Sequence, residues 1–317
     1  MRQISYAQAG SEALAEELRR DPKTLVLSTD AAPALVEEFG DQRIRATPIA
    51  EGAVTGMAIG AAGCGYRPIV NWRIVTFSFV AMDQIVNQAS KIHYMFGGQA
   101  KFPLVFRATV GGGGKLAAQH SQSPYSMFMN LAGLKIILPS TPYDMKGLMK
   151  SAIRDDNPVI SFESSRLMGF KGDVPEEEYT LPIGKADVKR EGSDITIVAI
   201  AWLVHEALAA AETLAKEGVS VEVVDPRSLF PLDAKTIRTS VRKTGRLLIA
   251  DEAGPTAGAS AEIAALAAED ANTFACLKAP IKRVCALQVP IPYSPVLEDH
   301  VFPDRDKIAA GVRAVLR

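Results

Sequence analysis

Short runs of apolar and β-branched residues alternate along this chain with amphipathic stretches that have the period of an α-helix. In the N-terminal half, the strand-like runs are 24–28, 67–72, 102–110, 134–138 and 158–162. The helix-like stretches between them are 5–20, 51–65, 80–95 and 142–154. The strand-like runs are almost continuously apolar, which is typical of parallel strands covered by helices on both faces. The pattern therefore predicts an α/β fold.

Residues 164–192 interrupt the alternation, because they are polar, contain glycine and proline, and have no periodicity. The alternation then resumes with strand-like runs at 195–200, 219–226, 245–252 and 281–287. Helices are predicted at 202–217, from Asp233 onwards, and at 258–269. We expect two parallel-sheet α/β domains, residues 1–163 and 193–317, joined by a linker over 164–192.

Composition narrows the possible partners and location. The 317 residues include 35 basic and 36 acidic side chains, so no overall charge attracts nucleic acid or an anionic membrane. No segment has about 18 consecutive apolar residues, so neither a signal peptide nor a membrane span is expected. The cysteines, Cys64, Cys276 and Cys285, lack metal-site spacing. These features favour a cytoplasmic protein that binds neither nucleic acid nor membrane.

A glycine-rich stretch, VGGGGKLAAQHSQ, follows the strand-like run 102–110. It is not a nucleotide phosphate loop, because Thr109 and Leu116 occupy positions that would need glycine and a hydroxyl residue. A dinucleotide site is also disfavoured, because the next strand ends in Pro139 rather than an acid. The stretch instead predicts a flexible or ligand-approaching loop that carries His120.

The other histidines have structural interpretations. His93 and His205 lie within predicted helices, and His300 lies in a segment predicted to be a polar loop. His120 is distinguished from them because it follows a glycine-rich loop at the carboxyl end of a predicted parallel strand, where α/β proteins place ligands.

Glu51 begins the helical stretch EGAVTGMAIGAAG, which otherwise contains small and apolar residues. An acid in the first turn of a helix interacts favourably with the helix dipole, by about 0.3–1 kcal/mol. That interpretation explains the charge but not the small residues around it, which predict close packing and a buried carboxylate. A buried carboxylate without an internal cation needs a ligand partner or a raised pKa.

Six segments, in order, resemble the β subunit of thiamine-diphosphate-dependent 2-oxoacid dehydrogenases, the decarboxylating component of pyruvate, branched-chain 2-oxoacid and acetoin dehydrogenase complexes. They are TPIAE, MDQIVNQASKIHYMFGGQ, FPLVFR, AAQHSQ, PSTPYDMKGLMKSAIRDDNPVI and VPIPYSPVLED. The resemblance extends from about residue 2 to the C-terminus. It implies an N-terminal thiamine pyrimidine-binding domain and a C-terminal transketolase-like domain.

The resemblance also implies partners and cofactors. The family forms α2β2 heterotetramers that share thiamine diphosphate between α and β, and it works with a lipoyl acyltransferase core. The α chain holds Mg²⁺ and the diphosphate through a GDG motif followed by an asparagine. The nearest match in this chain, KGDVPEEEY, has Val174 in place of the second glycine. The diphosphate half of the site is therefore expected on an α subunit.

Matches to the family's motifs imply roles for individual residues. Glu51 matches the glutamate that hydrogen-bonds the aminopyrimidine ring and promotes loss of the cofactor's C2 proton. Ile49 and Phe77 match cofactor contacts, with Phe77 packing on the pyrimidine ring. His120 matches a histidine near the substrate channel that is implicated in proton transfer and in acyl transfer to lipoyl.

A potassium site is implied in the same way within AIRDDNP. It would be built mostly from backbone carbonyls around Ala152, Ile153 and Asp155, together with Asn157. Backbone ligands leave little trace in a sequence. The assignment therefore rests on the resemblance alone.

Three features depart from the family's usual pattern. The loop after the first strand is about ten residues shorter, and Ser28-Thr29-Asp30 stands where an acid usually follows that strand directly. Asn71 and Arg73 replace an acid and a neutral pocket residue. A guanidinium at position 73 suggests a substrate with a second anionic or strongly polar group. Alternatively, Arg73 pairs with an acid of the α chain or lies at the subunit surface.

These observations predict the β subunit of a 2-oxoacid or acyloin dehydrogenase that cleaves a C–C bond next to a carbonyl and passes the acyl unit to a lipoyl carrier. A split transketolase or carboligase, which transfers a two-carbon unit to an aldehyde, is the alternative enzyme. A non-enzymatic assembly subunit is a third hypothesis. Retention of Glu51, Phe77 and His120 argues against it.

Overall fold

The computed structural model of the chain describes residues 2–317. In chain order, its first strands and helices are β1 (Arg2–Ser5), α1 (Tyr6–Arg20), β2 (Thr24–Ser28), α2 (Pro33–Phe39), β3 (Ile44–Ala46), α3 (Glu51–Gly63), β4 (Arg67–Ile74), α4 (Ile92–Met95), β5 (Val105–Val110), α5 (Ala117–His120), α6 (Tyr125–Met129), β6 (Lys135–Ile137), α7 (Pro142–Arg154), β7 (Val159–Ser164) and β8 (Lys171–Val174). The remaining elements are β9 (Asp187–Arg190), β10 (Ile195–Ala199), α8 (Leu203–Ala215), β11 (Val221–Asp225), β12 (Ser228–Phe230), α9 (Ala234–Thr244), β13 (Leu247–Asp251), α10 (Ala259–Ala268), α11 (Ala271–Cys276), β14 (Lys282–Cys285), α12 (Pro295–Val301) and α13 (Arg305–Leu316).

The chain divides into two compact units, and the division is not collinear with the sequence. The first unit contains the residues up to Val110 together with Met127–Ile183. The second contains Gly111–Ser126 together with Gly184–Arg317. The glycine-rich loop and His120 therefore group with the C-terminal unit, although they lie within the range predicted for the N-terminal domain. The boundary at Ile183 falls inside the predicted linker.

A parallel sheet forms the centre of the first unit, with the strand order β6-β7-β5-β4-β2-β3. The strands are largely buried apolar runs, as expected for a sheet with helices packed on its faces. Because β2, β3 and β4 are parallel neighbours, their carboxyl ends meet at one edge of the sheet. Ligands bind at such an edge in open α/β sheets.

Helices α1 and α7 pack against each other through a buried ion network. Lys146 and Lys150 of α7 are fully buried, and each places its Nζ 2.7 Å from a carboxylate oxygen of Glu16 on α1. Lys150 also pairs with Glu178. Helix α7 begins at the predicted place, where the Thr141 hydroxyl accepts a hydrogen bond from the backbone N–H three residues later and Pro142 follows.

A second sheet, with the order β14-β13-β10-β11-β9, forms the centre of the C-terminal unit. Strands β14, β13, β10 and β11 are parallel, and β9 joins the edge antiparallel to β11. Helices α8 and α13 cover one face and form a continuous apolar core with the sheet. The two α/β units confirm the predicted fold class.

Local structure differs from the sequence-based expectations in three places. The predicted helix 80–95 is irregular: Val75–Ala81 forms a 3₁₀ helix, Gln84–Ala89 is π-helical, and only Ile92–Met95 is α-helical. The Ser90 hydroxyl donates to the Val86 carbonyl at 2.6 Å and thereby competes for an acceptor of the regular helix.

The other two differences concern segments predicted to be irregular. The segment 164–192 carries β8 and β9, which pair with distant strands that a local pattern cannot reveal. His300 lies in α12 rather than in a loop. Helix α12 is short, and Pro295 occupies its first turn, so its sequence resembles a turn more than a helix.

Candidate active site

A cavity of about 340 Å³ lies at the carboxyl ends of β2, β3 and β4. Residues from the ends of these strands and from the start of α3 form its walls. They are Thr29, Thr47, Pro48, Ile49, Ala50, Glu51, Val54, Val70, Asn71, Trp72, Arg73, Ile74 and Phe77. The cavity therefore brings together four of the residues identified from the sequence: Ile49, Glu51, Arg73 and Phe77.

Glu51 is the first residue of α3 and contributes a carboxylate to the cavity wall. Its side chain is half-buried, not fully buried as the small residues of α3 predict, because it faces the cavity. Among residues 2–317, no group forms a hydrogen bond or an ion pair with this carboxylate. Helix α3 also starts without a side-chain cap. The first turn thus presents both an acid and free backbone N–H groups.

The small residues of α3 allow its close packing against the irregular segment after β4. A Cβ added at Gly52 would lie 3.4 Å from the Val80 carbonyl oxygen, and one at Gly63 would lie 3.1 Å from the Phe102 ring. A side chain at Gly52 would be in van der Waals contact with Val75–Ala81, the segment that carries Phe77, and one at Gly63 would crowd the Phe102 ring.

Aromatic packing supports the wall formed by β4. The indole of Trp72 donates a hydrogen bond of 3.1 Å to the hydroxyl of Thr55 on α3. Its ring stacks on Phe106 of β5, with 4.6 Å between the ring centroids. At the mouth of the cavity, Ile49 is 84% exposed. The cavity is thus rigid at its base and apolar at its mouth.

Arg73 lies at a β-bulge, where the pairing of β4 with β5 shifts register between Asn71 and Ile74. Its φ of 66° is in the left-handed region, which is uncommon for a residue with a Cβ. Two hydrogen bonds hold this conformation: Arg73 N–H donates to Asn71 Oδ1 at 2.9 Å, and the Thr109 hydroxyl donates to the Arg73 carbonyl at 2.7 Å. The guanidinium forms an ion pair with Asp30.

The Asp30–Arg73 pair was not predicted from the sequence. Both side chains are more than half exposed, so the pair contributes little to stability. Asp30 follows β2, and Arg73 lies near the end of the neighbouring parallel strand. The pair could not be predicted because the sequence does not show that these two strands are neighbours. Their adjacency brings residues 43 positions apart to the same sheet edge.

His120 lies in the second unit, at the end of the short helix α5, and its side chain is half-buried. The preceding loop contains Gly111 and Gly113, both with positive φ, as its glycine content suggests.

The residues of the implied potassium site lie together at the C-terminal end of α7. However, Arg67 donates hydrogen bonds to the carbonyl of Ile153 at 3.2 Å and to that of Asp155 at 2.9 Å. The Asp155 carboxylate accepts from the N–H and the amide of Asn157 and also pairs with Lys135. These oxygens therefore already have cationic or N–H donors.

Residues 2–317 contain no group of three or more His, Cys, Asp and Glu side chains arranged to hold a metal ion. They also contain no helix that is long and apolar enough to cross a membrane.

Comparisons with known proteins find matches over nearly the whole chain. Residues 2–170 match the transketolase pyrimidine binding domain, and residues 184–308 match the transketolase C-terminal domain. The chain is 44% identical to the acetoin:2,6-dichlorophenolindophenol oxidoreductase subunit β of Cupriavidus necator, with 100% of this chain and 98% of that protein covered. The chain belongs to the family of β subunits of thiamine-diphosphate-dependent 2-oxoacid and acetoin dehydrogenases.

Other members of this family are similarly close. The 2-oxoisovalerate dehydrogenase subunit β of Bacillus subtilis is 43% identical, with 98% of each chain covered. The pyruvate dehydrogenase E1 component subunit β of Rickettsia felis is 42% identical, with 99% and 98% covered. A solved structure titled split gene transketolase, inactive β4 tetramer, matches with a TM-score of 0.82 and 24% identity over 99% of this chain and 98% of that chain. That similarity supports the fold alone.

Family membership confirms the resemblance found in the sequence. It implies thiamine diphosphate as the cofactor and an α subunit as the partner. The cavity at Glu51 fits the pyrimidine ring of that cofactor by its chemistry, because it combines apolar and aromatic walls with one carboxylate acceptor.

Proposed function

We propose that this chain is the β subunit of an oxidoreductase that cleaves the C–C bond next to the carbonyl of a 2-oxoacid or acyloin and passes the acyl unit to a lipoyl carrier. The observation that carries the proposal is the half-buried Glu51 carboxylate, which no group of the described chain engages, on the wall of an apolar cavity at the carboxyl edge of a parallel sheet. When bound, thiamine diphosphate supplies the electron sink for this cleavage.

Three side chains of the cavity have a defined task in this proposal. The Glu51 carboxylate would accept a hydrogen bond from a ring nitrogen of the pyrimidine and so favour its proton-accepting form. Phe77 and Ile49 would supply the apolar contacts to the ring. A hydrogen bond to a carboxylate is strengthened where apolar walls exclude water.

The remaining parts of the reaction depend on a second chain. We place Mg²⁺ and the diphosphate mainly on an α subunit with a GDG motif, in an α2β2 assembly, because this chain has Val174 where that motif needs glycine. His120 is proposed to move protons near the substrate and to assist acyl transfer to the lipoyl group of an acyltransferase core. Its half-buried position leaves part of the imidazole accessible.

Arg73 is proposed to contact the substrate. It lines the same cavity as Glu51, and its pair with Asp30 is exposed enough to rearrange at little cost. A carboxylate or phosphate of the substrate would replace Asp30 at the guanidinium fork.

A potassium ion at Ala152, Ile153, Asp155 and Asn157 fits the present arrangement poorly. The Arg67 guanidinium already engages two of the carbonyls, so potassium would have to displace it or share those oxygens. The C-terminal end of α7 favours a cation there in either case. We derive no catalytic step from this site.

The proposal is tested by titrating thiamine diphosphate and Mg²⁺ calorimetrically into this chain alone and into its complex with the GDG-bearing α chain of the same organism. We expect binding on the order of 100-fold weaker, or none, for the lone chain. The complex should reduce a dye acceptor with pyruvate, a branched 2-oxoacid or acetoin. Tight binding to the lone chain would overturn the two-chain site. Transfer of a two-carbon unit to an aldehyde without dye reduction would favour the split transketolase instead.

A further inference from the structure

The loop that carries His120 is fixed to the C-terminal unit on both sides of the histidine. The loop comprises residues 111–126, and its ends approach each other through a hydrogen bond of 3.0 Å from the Gly111 N–H to the Gln122 carbonyl. Side chains from two other segments of the unit hold it at two places. We call these places the lysine clamp and the tyrosine clamp.

The lysine clamp precedes His120 and joins the loop to α12. Glu298 of α12 is fully buried; one of its carboxylate oxygens accepts a hydrogen bond of 2.8 Å from the Gly113 N–H. The other lies 3.0 Å from Lys115 Nζ, which also lies 2.6 Å from an Asp299 oxygen. Lys115 therefore provides the positive charge that a buried carboxylate requires.

Glycine packing adds to the lysine clamp. A Cβ added at Gly112 would lie 2.2 Å from the Phe302 ring, which follows α12 directly. The loop backbone can therefore lie against this aromatic ring only because position 112 has no side chain.

The tyrosine clamp follows His120. Tyr125 is buried, and its hydroxyl donates a hydrogen bond to the buried carboxylate of Asp251 at the end of β13. The same carboxylate accepts backbone N–H bonds from Ala253 at 2.9 Å and from Ser260 at 3.0 Å. The position of the Tyr125 hydroxyl is thus set by a group that the sheet itself holds.

Between the clamps the backbone adopts an unfavourable conformation. Lys115 has a φ of 55° and Ala117 a φ of 61°, both in the left-handed region and both within five residues of His120. Non-glycine residues persist in this region only where surrounding contacts impose it, and such positions concentrate at functional sites. Nothing in the composition of KLA favours this conformation, and Lys115 is itself held by Glu298 and Asp299.

We propose that Lys115, Glu298 and Asp299, together with the Tyr125–Asp251 pair, are positioning residues that hold His120 in its working orientation. The proposal rests on the role assigned to His120 under the proposed function. Releasing the lysine clamp lets the backbone from Gly113 to His120 relax toward an ordinary conformation and moves the imidazole. A displacement of about 1 Å at a reacting group can reduce a rate on the order of 100-fold.

The test compares Lys115→Met with Lys115→Arg in the αβ complex carrying thiamine diphosphate. Two rates are measured with the same substrate: reduction of a dye acceptor, and acyl transfer to a free lipoyl domain. We expect Lys115→Met to slow acyl transfer by about 10- to 100-fold, and to slow dye reduction no more than His120→Gln does. Lys115→Arg should restore most of the transfer, because it keeps the charge next to Glu298.

Two further variants keep the outcomes distinguishable. His120→Gln sets the reference: if it transfers acyl groups at the wild-type rate, the role proposed for His120 is wrong. If His120→Gln is impaired and Lys115→Met is not, the positioning inference is overturned. Glu298→Gln removes the buried charge and replaces Lys115→Met in the test if that variant does not fold. We expect it to slow acyl transfer by the same factor.

Amide hydrogen exchange provides a readout that is independent of catalysis. In Lys115→Met, exchange should accelerate at least tenfold within residues 113–122 and remain unchanged in β10 and β13. Unchanged protection of the loop in a folded Lys115→Met protein would show that the lysine clamp does not hold it.

Discussion

Replacing Glu51 with glutamine separates a structural role from a functional role for this acid. In the structure, Glu51 is half-buried and forms no hydrogen bond or ion pair within residues 2–317, so its only intrinsic contribution is to the dipole of α3. Loss of that contribution should lower the free energy of unfolding by about 0.3–1 kcal/mol. Glutamine keeps the size and shape of the side chain. We therefore expect no cavity or strain.

The expected functional effect is much larger. Removing one preorganised hydrogen bond that stabilises developing charge in a dry site costs about 10²–10³ in rate, or about 2.7–4 kcal/mol, and we take this as the scale for Glu51. The measurement is the exchange rate of the cofactor's C2 proton, followed by NMR in the αβ complex. Denaturant unfolding of Glu51→Gln should run in parallel. We expect exchange to slow by about two to three orders of magnitude while the unfolding midpoint changes little.

Glu262→Gln is a matched control, because Glu262 is also an acid in the first turn of a helix, α10, but is exposed and outside the cavity. It should show the same small change in stability and unchanged proton exchange. Two results would refute the reasoning. Normal proton exchange in Glu51→Gln would show that this acid interacts only with the helix dipole. A loss of stability above about 3 kcal/mol would reveal a structural role that the contacts do not explain.

Two further predictions concern stability. The hydrogen bond from Lys150 lowers the pKa of Glu178 below its ordinary value of 4.5. The ionised Glu178 therefore stabilises the folded protein above pH 4.5, and this contribution is lost as the pH falls through the lowered pKa. Urea unfolding from pH 7 to pH 3 should therefore show an acid-side decrease that is shallower in Lys150→Met, and an identical pH slope in both proteins would contradict the assignment. Potassium, compared with choline at equal ionic strength, should raise the thermal midpoint more in Arg67→Met than in the parent, because the variant lacks the competing guanidinium. If both proteins have equal midpoints in the two salts, there is no potassium site here.

The sequence was sufficient to predict the fold class, the family and the strands around the cavity. These features depend on local periodicity and on motifs that stay contiguous in the chain. Glu51 and Phe77 were expected at the cofactor because their positions match motifs of the family that the sequence resembles, and both line the cavity. Their assignment to the cofactor remains a prediction.

Features that depend on contacts between distant segments could not be predicted in this way. The Asp30–Arg73 pair requires knowing that β2 and β4 are neighbours, and the Lys115–Glu298 pair joins residues more than 180 positions apart. The full burial expected for Glu51 was wrong for a related reason. Small residues in α3 correctly indicate close packing, but they cannot show that the first turn of the helix opens into a cavity.

The state of Glu51 has a consequence for the assembly. The helix dipole gives Glu51 only a small stabilising interaction, about 0.3–1 kcal/mol, and desolvating a carboxylate further is costly unless a donor accompanies it. Ile49, beside it at the cavity mouth, is 84% exposed, which is equally unfavourable for an apolar side chain in water. Both costs disappear together if a ligand donates a hydrogen bond to Glu51 and its apolar ring or a second chain covers Ile49. The two residues therefore support the same proposal, that a bound ligand and a second chain complete this cavity.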